Sequence, residues 1–362
     1  MNRQQRCDAI RPALCAWFAK AARRTPWRQT RDPYKIWIAE VMLQQTQTDT
    51  VVPYYHRFIE RYPTCADLAA APLDEVLRLW EGLGYYARAR NLHAAAKMLV
   101  AERGGRLPDS GEALRALPGV GDYTAGAVAS IAFARPEPVL DGNVARVLCR
   151  AFRIRKPPAE PVTRRTLWRI AGQLVRDDDP GTVNQALMEL GALVCLPRGP
   201  ACADCPIAEQ CEARRRGEQE TLPIRTPRAK TPHHTIAVGV VWRRGKMLID
   251  KRPATGLLGG LWELPGGKQR RGESLSEACR REICEELGIE VTVGEKLTAV
   301  RHAYSHFRVT LHAFTCRYKS GRCRAIGCDA WRWVSPDALE QYAFPRANRR
   351  ILDAIELSCR YP

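Results

Sequence analysis

Two acidic residues, Glu40 and Asp141, occur in sequence contexts that suit the two carboxyl groups needed to cleave a glycosidic bond. Glu40 lies in the apolar run IWIAEVML, at what we expect to be the start of a helix, where partial burial would raise its pKa. Asp141 precedes the helix-like run GNVARVL and suits an N-cap, whose backbone amides favour the ionised carboxylate. A protonated acid that assists a leaving group, beside a carboxylate that stabilises a sugar cation, cleaves glycosidic bonds. By residue type alone, a solvent-facing helix residue and a plain cap remain the alternatives.

Four of the 14 cysteines form a compact group with the spacing Cys-x6-Cys-x2-Cys-x5-Cys, namely Cys195, Cys202, Cys205 and Cys211. Four thiolates this close in sequence bind either zinc or an iron–sulfur cluster, and the spacing by itself leaves the metal open. The N-terminus is polar and lacks the apolar core of a signal peptide, so we expect a cytoplasmic protein. In that compartment the cysteine pattern favours a metal site over disulfides.

A second cluster of charge lies in the stretch GGKQRRGESLSEACRREICEELGIE, residues Gly266–Glu290. Glu282, Glu285 and Glu286 would share one face of a helix, where like carboxylates repel unless something positive lies between them. Such a cluster would suit a divalent metal ion. The alternative is a well-capped amphipathic helix without a metal.

The run LPGVGDYTAGAVAS predicts a helix–hairpin–helix turn built on Gly119 and Gly121. Glycine permits a tight turn and a close backbone approach, and the amides that open the next helix can hold a phosphate oxygen. An ordinary interhelical turn is the alternative. The net charge of +18 favours a polyanionic partner, and no apolar run is long enough to predict a membrane span.

Hydrophobic periodicity predicts a multidomain protein. Residues 1–215 have helical patterns throughout and predict an all-α domain that includes the cysteine loop 195–211. A polar, proline-containing linker follows at 216–232. Residues 233–362 alternate strand-like segments, such as HTIAVGVVW and FRVTLHAFTCRY, with the glutamate-rich helix and a terminal helix, and predict a smaller α/β domain.

Residues 1–225 resemble the helix–hairpin–helix DNA glycosylases with one [4Fe–4S] cluster, and within them the MutY-type adenine DNA glycosylases. The resemblance rests on TPWRQTRDPYKIWIAEVMLQQTQTDTV, WEGLGYYARARNLHAAA, the hairpin motif, VLDGNVARVL, NQALMELGALVC and the cysteine loop. It implies excision of adenine, flipped out of double-stranded DNA, from mispairs with 8-oxoguanine or guanine. It also implies a monomer whose cluster is held by the four cysteines, with Arg198 close to phosphate.

The resemblance assigns roles to individual residues. Glu40 matches the acid that protonates adenine, and Asp141 the carboxylate that stabilises the sugar cation. The remaining matches are groups that orient these two (Tyr123, Asn143), positions around the adenine (Trp27, Arg28, Gln185) and residues that wedge into the DNA (Gln45, Tyr85). The related endonuclease III type carries a lysine where this chain has Tyr123, so the resemblance implies base hydrolysis without strand cleavage. A lesion sensor without catalysis would not need the pair of carboxylates.

Residues 233–362 resemble the Nudix fold, which in MutY-type proteins recognises 8-oxoguanine on the opposite strand. The matching loop is RHAYSHF, with Tyr304, Ser305 and His306. The chain also fits the complete Nudix box from Gly267 to Ile289, and LWELPGG and FPRAN resemble MutT, which hydrolyses 8-oxo-dGTP. In this box Glu282, Glu285 and Glu286, with the carbonyl group of Gly267, would hold Mg²⁺ or Mn²⁺. The resemblance therefore leaves two interpretations, a recognition domain and a domain that is also a metal-dependent pyrophosphatase.

Overall fold

The computed structural model describes residues 2–176, 179–226, 231–304 and 307–358. Ser305 and His306, two of the predicted recognition residues, lie outside the described residues. The chain divides into two compact units, Met1–Ala70 with Ala94–Arg228, and Ala71–His93 with Ala229–Pro362. Within the described ranges, no helix is both long and apolar enough to cross a membrane.

The first 226 residues are helical where they are described, and no strand occurs among them, which confirms the all-α prediction. The helices are α1 (Arg3–Ala21), α2 (Pro33–Leu43), α3 (Thr48–Arg61), α4 (Cys65–Ala70), α5 (Leu73–Leu79), α6 (Ala87–Arg103), α7 (Gly111–Arg115), α8 (Asp122–Phe133), α9 (Gly142–Ala151), α10 (Pro161–Leu174), α11 (Pro180–Leu193) and α12 (Glu212–Arg215). A short 3₁₀ turn, Pro26–Gln29, precedes α2.

Local sequence signals set the starts of the helices that carry the site. Asp32 caps α2 by accepting a hydrogen bond from the backbone amide of Tyr34 at 2.9 Å, and Pro33 occupies the first helical position. Gly191 lets α11 approach α9 closely, because a Cβ atom at this position would lie 2.6 Å from Cβ of Asn143. Helix α2 packs against α8, and α11 packs against both α8 and α9.

The second unit contains a mixed sheet of seven strands, counted over its described residues. They are β1 (His233–Arg243), β2 (Lys246–Lys251), β3 (Trp262–Glu263), β4 (Gly266–Lys268), β5 (Ile289–Ala303), β6 (Arg308–Gly321) and β7 (Ala330–Val334). The order is β3-β2-β1-β6-β5, with β4 paired to β1 and β7 to β2. β1 and β6 run parallel, and the other pairs are antiparallel.

Helices α13 (Leu275–Leu287) and α14 (Arg346–Ser358) lie on the two faces of this sheet. Ala237 and Val241 of β1 contact the core under α13, whereas Val238 and Val240 contact the core under α14, as the two-residue period of a strand requires. The predicted α/β fold is confirmed. The short strands β3, β4 and β7 were not predicted, because two to five residues are too few to display an alternation.

Candidate active site and DNA-contacting elements

Glu40 lies in the last turn of α2 and not, as the sequence suggested, at the start of a helix. Its side chain is buried at 4% exposure. Burial raises the pKa of Glu40 to about 7, against the opposing effects of a hydrogen bond from Tyr123 and the positive charge of Arg28. The expected raised pKa is therefore present, and the group can hold a proton near neutral pH.

Tyr123, in the first turn of α8, contacts this acid directly. Its hydroxyl oxygen lies 2.8 Å from Oε2 of Glu40 and 3.1 Å from the sulfur of Met188 on α11. Burial and the nearby carboxylates raise the pKa of Tyr123 well above its ordinary value, so the phenol is a neutral hydrogen-bond donor. The structure thus brings together Glu40 and Tyr123, which are 83 residues apart in sequence.

Asp141 is the N-cap of α9, as predicted, and accepts a hydrogen bond from the backbone amide of Val144 at 2.7 Å. The side-chain amide of Asn143 donates to the other carboxylate oxygen at 3.3 Å. Burial raises the pKa of Asp141 and outweighs these backbone amides and the charge of Arg146, which act in the opposite direction. The sequence identified the cap but not the dominance of burial.

Arg146 is a functional candidate that the sequence did not single out. Its guanidinium donates to Oδ1 of Asn143 at 2.8 Å, to the carbonyl oxygen of Gly191 at 2.6 Å and to that of Cys195 at 2.7 Å. A continuous series of hydrogen bonds therefore links Asp141, through Asn143 and Arg146, to the backbone of the first cysteine of the loop. In the sequence, the spacing of three residues between Asn143 and Arg146, about one helical turn, was the only sign that these side chains could contact each other.

The three positions predicted around the adenine lie in different environments. Trp27 is 7% exposed and packs edge-on against Tyr55, with ring centroids 5.3 Å apart. Arg28 is ion-paired with the buried Glu189 at 2.9 Å and stacks its guanidinium 5.1 Å from the ring centroid of Phe18. Gln185 donates to the carbonyl oxygen of Gly181 in its own helix at 3.2 Å. Of these three, Arg28 acts electrostatically on Glu40.

The two hairpin glycines lie immediately before α8. Gly119 has a φ of +75°, a left-handed conformation that favours glycine. Gly121 is the N-cap of α8, and a Cβ atom built there would meet nothing within 4 Å. This open space in front of a helix N-terminus is suitable for an oxygen of the DNA backbone.

Both predicted wedge residues are held in the left-handed backbone region without being glycine. Gln45 has a φ of +58° just after α2, and Tyr85 has a φ of +49° just before α6. Such conformations cost roughly 1–3 kcal/mol and tend to occur at functional positions. The side chain of Tyr85 is also 37% exposed, an unusual degree for a large aromatic residue of this chain.

The four predicted cysteine ligands line a single cavity together with Arg150 and Arg214. A guanidinium nitrogen of Arg150 lies 3.3 Å from the sulfur of Cys195. Within the part of the chain that the structure describes, no three His, Cys, Asp or Glu side chains converge on a point where one metal ion would bind.

The Nudix-box carboxylates are divided between two environments. Arg281 donates to Glu273 at 2.6 Å, to Glu282 at 2.8 Å and to Glu285 at 3.1 Å. Glu286 instead accepts a 3.4 Å hydrogen bond from the amide of Gly266, and burial together with the charge of Glu263 raises its pKa to about 8.

Gly267 is packed against Glu282, since a Cβ atom on this glycine would lie 2.4 Å from the carboxyl carbon. The structure thus brings Gly267 and Glu282 together. It does not gather Glu282, Glu285 and Glu286 around one point.

Tyr304 lines a cavity of about 370 Å³ in the second unit. Its ring stacks on Phe307 with centroids 4.7 Å apart and an interplanar angle of 27°, and His302 packs edge-on against it at 4.6 Å. Arg252, Glu263, Lys268 and Glu286 supply the charged groups of the same cavity. A flat aromatic wall beside polar groups suits a heteroaromatic ring.

Comparisons with known proteins identify the family of each part of the chain. Residues 38–173 match the HhH-GPD superfamily of base excision DNA repair proteins, and residues 237–354 match the NUDIX domain. The chain is similar to the adenine DNA glycosylase of Homo sapiens, with 35% identity over an alignment of 402 positions, gaps included. The alignment covers 95% of this chain and 73% of the human protein. The chain belongs to the adenine DNA glycosylase family.

Solved structures confirm the fold of the helical unit. A thermostable thymine-DNA glycosylase is 29% identical, with a TM-score of 0.53 over 59% of this chain and 98% of that chain. Endonuclease III in a non-covalent complex with DNA is 27% identical, with a TM-score of 0.50, and the match covers 60% of this chain and 99% of that chain. This family member is a DNA glycosylase of base excision repair that hydrolyses the N-glycosidic bond of adenine.

Proposed function

We propose that this glycosylase removes adenine from mispairs with 8-oxoguanine or guanine, and that Glu40 and Asp141 carry the reaction. The supporting observation is the buried Glu40 carboxyl group, whose pKa of about 7 keeps a proton available, hydrogen-bonded to Tyr123. Glu40 donates this proton to N7 of the flipped adenine, so that the base leaves neutral. Asp141 faces the sugar cation that forms as the glycosidic bond breaks.

Single-turnover excision on an A:8-oxoguanine duplex tests this assignment in the full-length protein. Glu40→Gln and Asp141→Asn should each reduce adenine release by at least about 100-fold while duplex binding survives. Asparagine is a good N-cap, so the second variant should keep α9 intact. Wild-type release rates in the Glu40→Gln variant would rule out its role as the acid.

We propose that the enzyme is monofunctional and acts as a monomer. The lysine of the endonuclease III type is replaced here by Tyr123, whose neutral phenol is engaged with Glu40 and cannot form a Schiff base. After excision the product should therefore be an intact abasic strand, without a borohydride-trapped covalent adduct. A trapped adduct, or a dimer in sedimentation experiments, would contradict these two statements respectively.

We propose that the [4Fe–4S] cluster is held by Cys195, Cys202, Cys205 and Cys211. The cavity that these residues share, and the guanidinium beside Cys195, suit a cluster whose thiolates carry negative charge. When bound, the cluster would fix the loop that presents Arg198 to DNA. Iron analysis should find about four irons per chain in the wild type, and Cys202→Ala should lose both iron and the visible absorption.

We propose that residues 233–362, joined to the helical domain 1–215 by the linker 216–232, recognise 8-oxoguanine. The stacked rings of Tyr304 and Phe307 support this role. Tyr304→Ala should lower excision from A:8-oxoguanine more than from A:G, whereas Tyr318→Ala, a change elsewhere in the same unit, should not discriminate. Equal losses on both duplexes would argue against recognition by Tyr304.

A second candidate function is metal-dependent hydrolysis of 8-oxo-dGTP by the Nudix unit. The observation that favours it is the cavity that joins Gly267 and Glu286 of the box to the aromatic wall of Tyr304. Mg²⁺ or Mn²⁺ would need Glu282 and Glu285 to leave Arg281 and join Glu286. The full chain with 8-oxo-dGTP and Mg²⁺ should release pyrophosphate, and Glu286→Gln should abolish the release. No release from the wild type would eliminate this candidate.

A further inference from the structure

Glu189 is a buried carboxylate on α11 for which the catalytic scheme above has no role. Its side chain is 1% exposed and accepts five hydrogen bonds within the described structure. Three come from Arg23, through its backbone amide at 2.9 Å and two guanidinium nitrogens at 2.9 and 2.8 Å. Two come from Arg28, at 3.0 and 2.9 Å, one to each carboxylate oxygen.

This carboxylate is ionised at neutral pH. Burial acts to raise the pKa of Glu189, but the hydrogen bonds from Arg23 and Arg28 outweigh it and lower the pKa to about 2. The two-point contact with Arg28 fixes the guanidinium in both position and orientation. A buried ion pair of this quality is strongly disturbed when one partner loses its charge.

Arg28 is also one of the charged groups that act on the proposed acid. The groups that act on the titration of Glu40 are Tyr123 from α8, Asp141 from the N-terminus of α9 and Arg28 from the 3₁₀ turn before α2. Of these, Arg28 is the cation. Without the negative charge of Glu189 beside it, the positive charge of Arg28 would favour the ionised, inactive form of Glu40 more strongly.

We propose that Glu189 is a positioning residue for adenine excision, which fixes the guanidinium of Arg28 and offsets its positive charge so that Glu40 stays protonated. The proposal rests on the role of Glu40 as the acid. It explains how Arg28 can act on Glu40 without removing the proton that the reaction needs. Glu189 does this without touching the reacting atoms.

The test is the pH dependence of single-turnover excision by Glu189→Gln in the full-length protein. Glutamine keeps the shape but removes the charge, so the excision rate should fall about fivefold more at pH 8 than at pH 6, relative to the wild type. Arg23→Gln is the matched control, because it removes a partner of Glu189 while keeping the pair with Arg28. Its pH dependence should follow the wild type. An equal loss at both pH values in Glu189→Gln would overturn the proposal.

Two further variants separate positioning from folding. The double variant Arg28→Gln/Glu189→Gln removes both charges, and its ratio of rates at pH 6 and pH 8 should return towards the wild-type ratio. Near-UV circular dichroism shows whether Glu189→Gln folds. If it does not, the pH dependence of excision by Arg28→Gln alone tests the proposal. Its excision should persist to higher pH than in the wild type, and an unchanged pH dependence would overturn the proposal.

The failure of this proposal is distinct from a failure of the catalytic assignment. If Glu40→Gln keeps its activity, the acid itself is wrong. If Glu40→Gln is inactive while Glu189→Gln keeps the wild-type pH dependence, only the role of Glu189 is wrong.

Discussion

The hydroxyl group of Tyr123 and the carboxyl group of Glu40 lie 2.8 Å apart, where α8 meets the last turn of α2. The phenol donates to the carboxylate and so favours its ionised form, whereas burial favours the protonated form. Burial is the larger effect, and the pKa of Glu40 settles at about 7. An acid of this pKa can give up a proton during a reaction at neutral pH.

Replacing Tyr123 by phenylalanine removes a group that lowers the pKa of Glu40. Glu40 acts when protonated, so wild-type excision should fall as pH rises through about 7, and in Tyr123→Phe this fall should occur at higher pH. The lost orientation should also reduce the maximal rate by about tenfold. Single-turnover rates between pH 5.5 and 9 measure both effects. A fall at lower pH than in the wild type would contradict the hydrogen-bond argument.

The raised pKa of Glu40 also predicts a cost in stability. Its pKa is raised from 4.5 to about 7 in the folded state, so the folded protein loses stability as pH rises through this range. Glu40→Gln removes this dependence and should raise the free energy of unfolding at pH 8, relative to the wild type, by on the order of 3 kcal/mol. At pH 4.5 or below the gain should disappear.

Chemical denaturation at the two pH values measures this difference. Glu60→Gln, at an exposed position of α3, is the control, and it should change the free energy of unfolding by no more than about 0.5 kcal/mol. If Glu40→Gln is destabilising at pH 8, the carboxyl group contributes more to packing than its desolvation costs.

Arg146 predicts a positioning effect on Asp141. Arg146→Met keeps much of the apolar stem of the side chain but removes the hydrogen bonds to Asn143 and to the carbonyl oxygen of Cys195. The excision rate should fall by about 10- to 100-fold, because Asn143 is no longer held against Asp141. Binding to a duplex with an uncleavable adenine analogue should change less than the rate. If Arg146→Met weakens duplex binding but leaves the excision rate unchanged, Arg146 contributes to DNA binding and does not position Asp141.

Alanine substitutions at the two hairpin glycines should affect different properties, DNA binding at Gly121 and stability at Gly119. Gly121→Ala fits the open space in the free protein and should change the free energy of unfolding by only about 0.5 kcal/mol. Its methyl group should nevertheless weaken duplex binding, since it occupies the approach to the amides of α8. Gly119→Ala must adopt a φ of +75° and should destabilise the protein by about 1–2 kcal/mol.

Thermal unfolding and duplex titrations, run in parallel on both variants, separate these effects. If Gly121→Ala binds DNA as tightly as the wild type, the phosphate does not approach the backbone at this residue.

Much of the architecture is encoded locally. Helical periodicity and its change to strand patterns beyond residue 233 predicted the all-α and α/β parts, and the cap formed by Asp141 is a short-range signal. The box carboxylates show the limit of such reasoning. Glu282, Glu285 and Glu286 share a helix, yet two pair with Arg281 and the third lines the cavity beside Tyr304.

The sequence alone determined which residue types are present and which elements carry them: an acid on α2, a capping carboxylate on α9, four close cysteines and a glycine hairpin. Only the tertiary structure decided how these groups are tuned. Tyr123 reaches Glu40 across 83 residues, and Arg28 reaches Glu189 across 161. A pKa depends on burial and on charges that are near in space, and neither quantity is written in the local order of the chain.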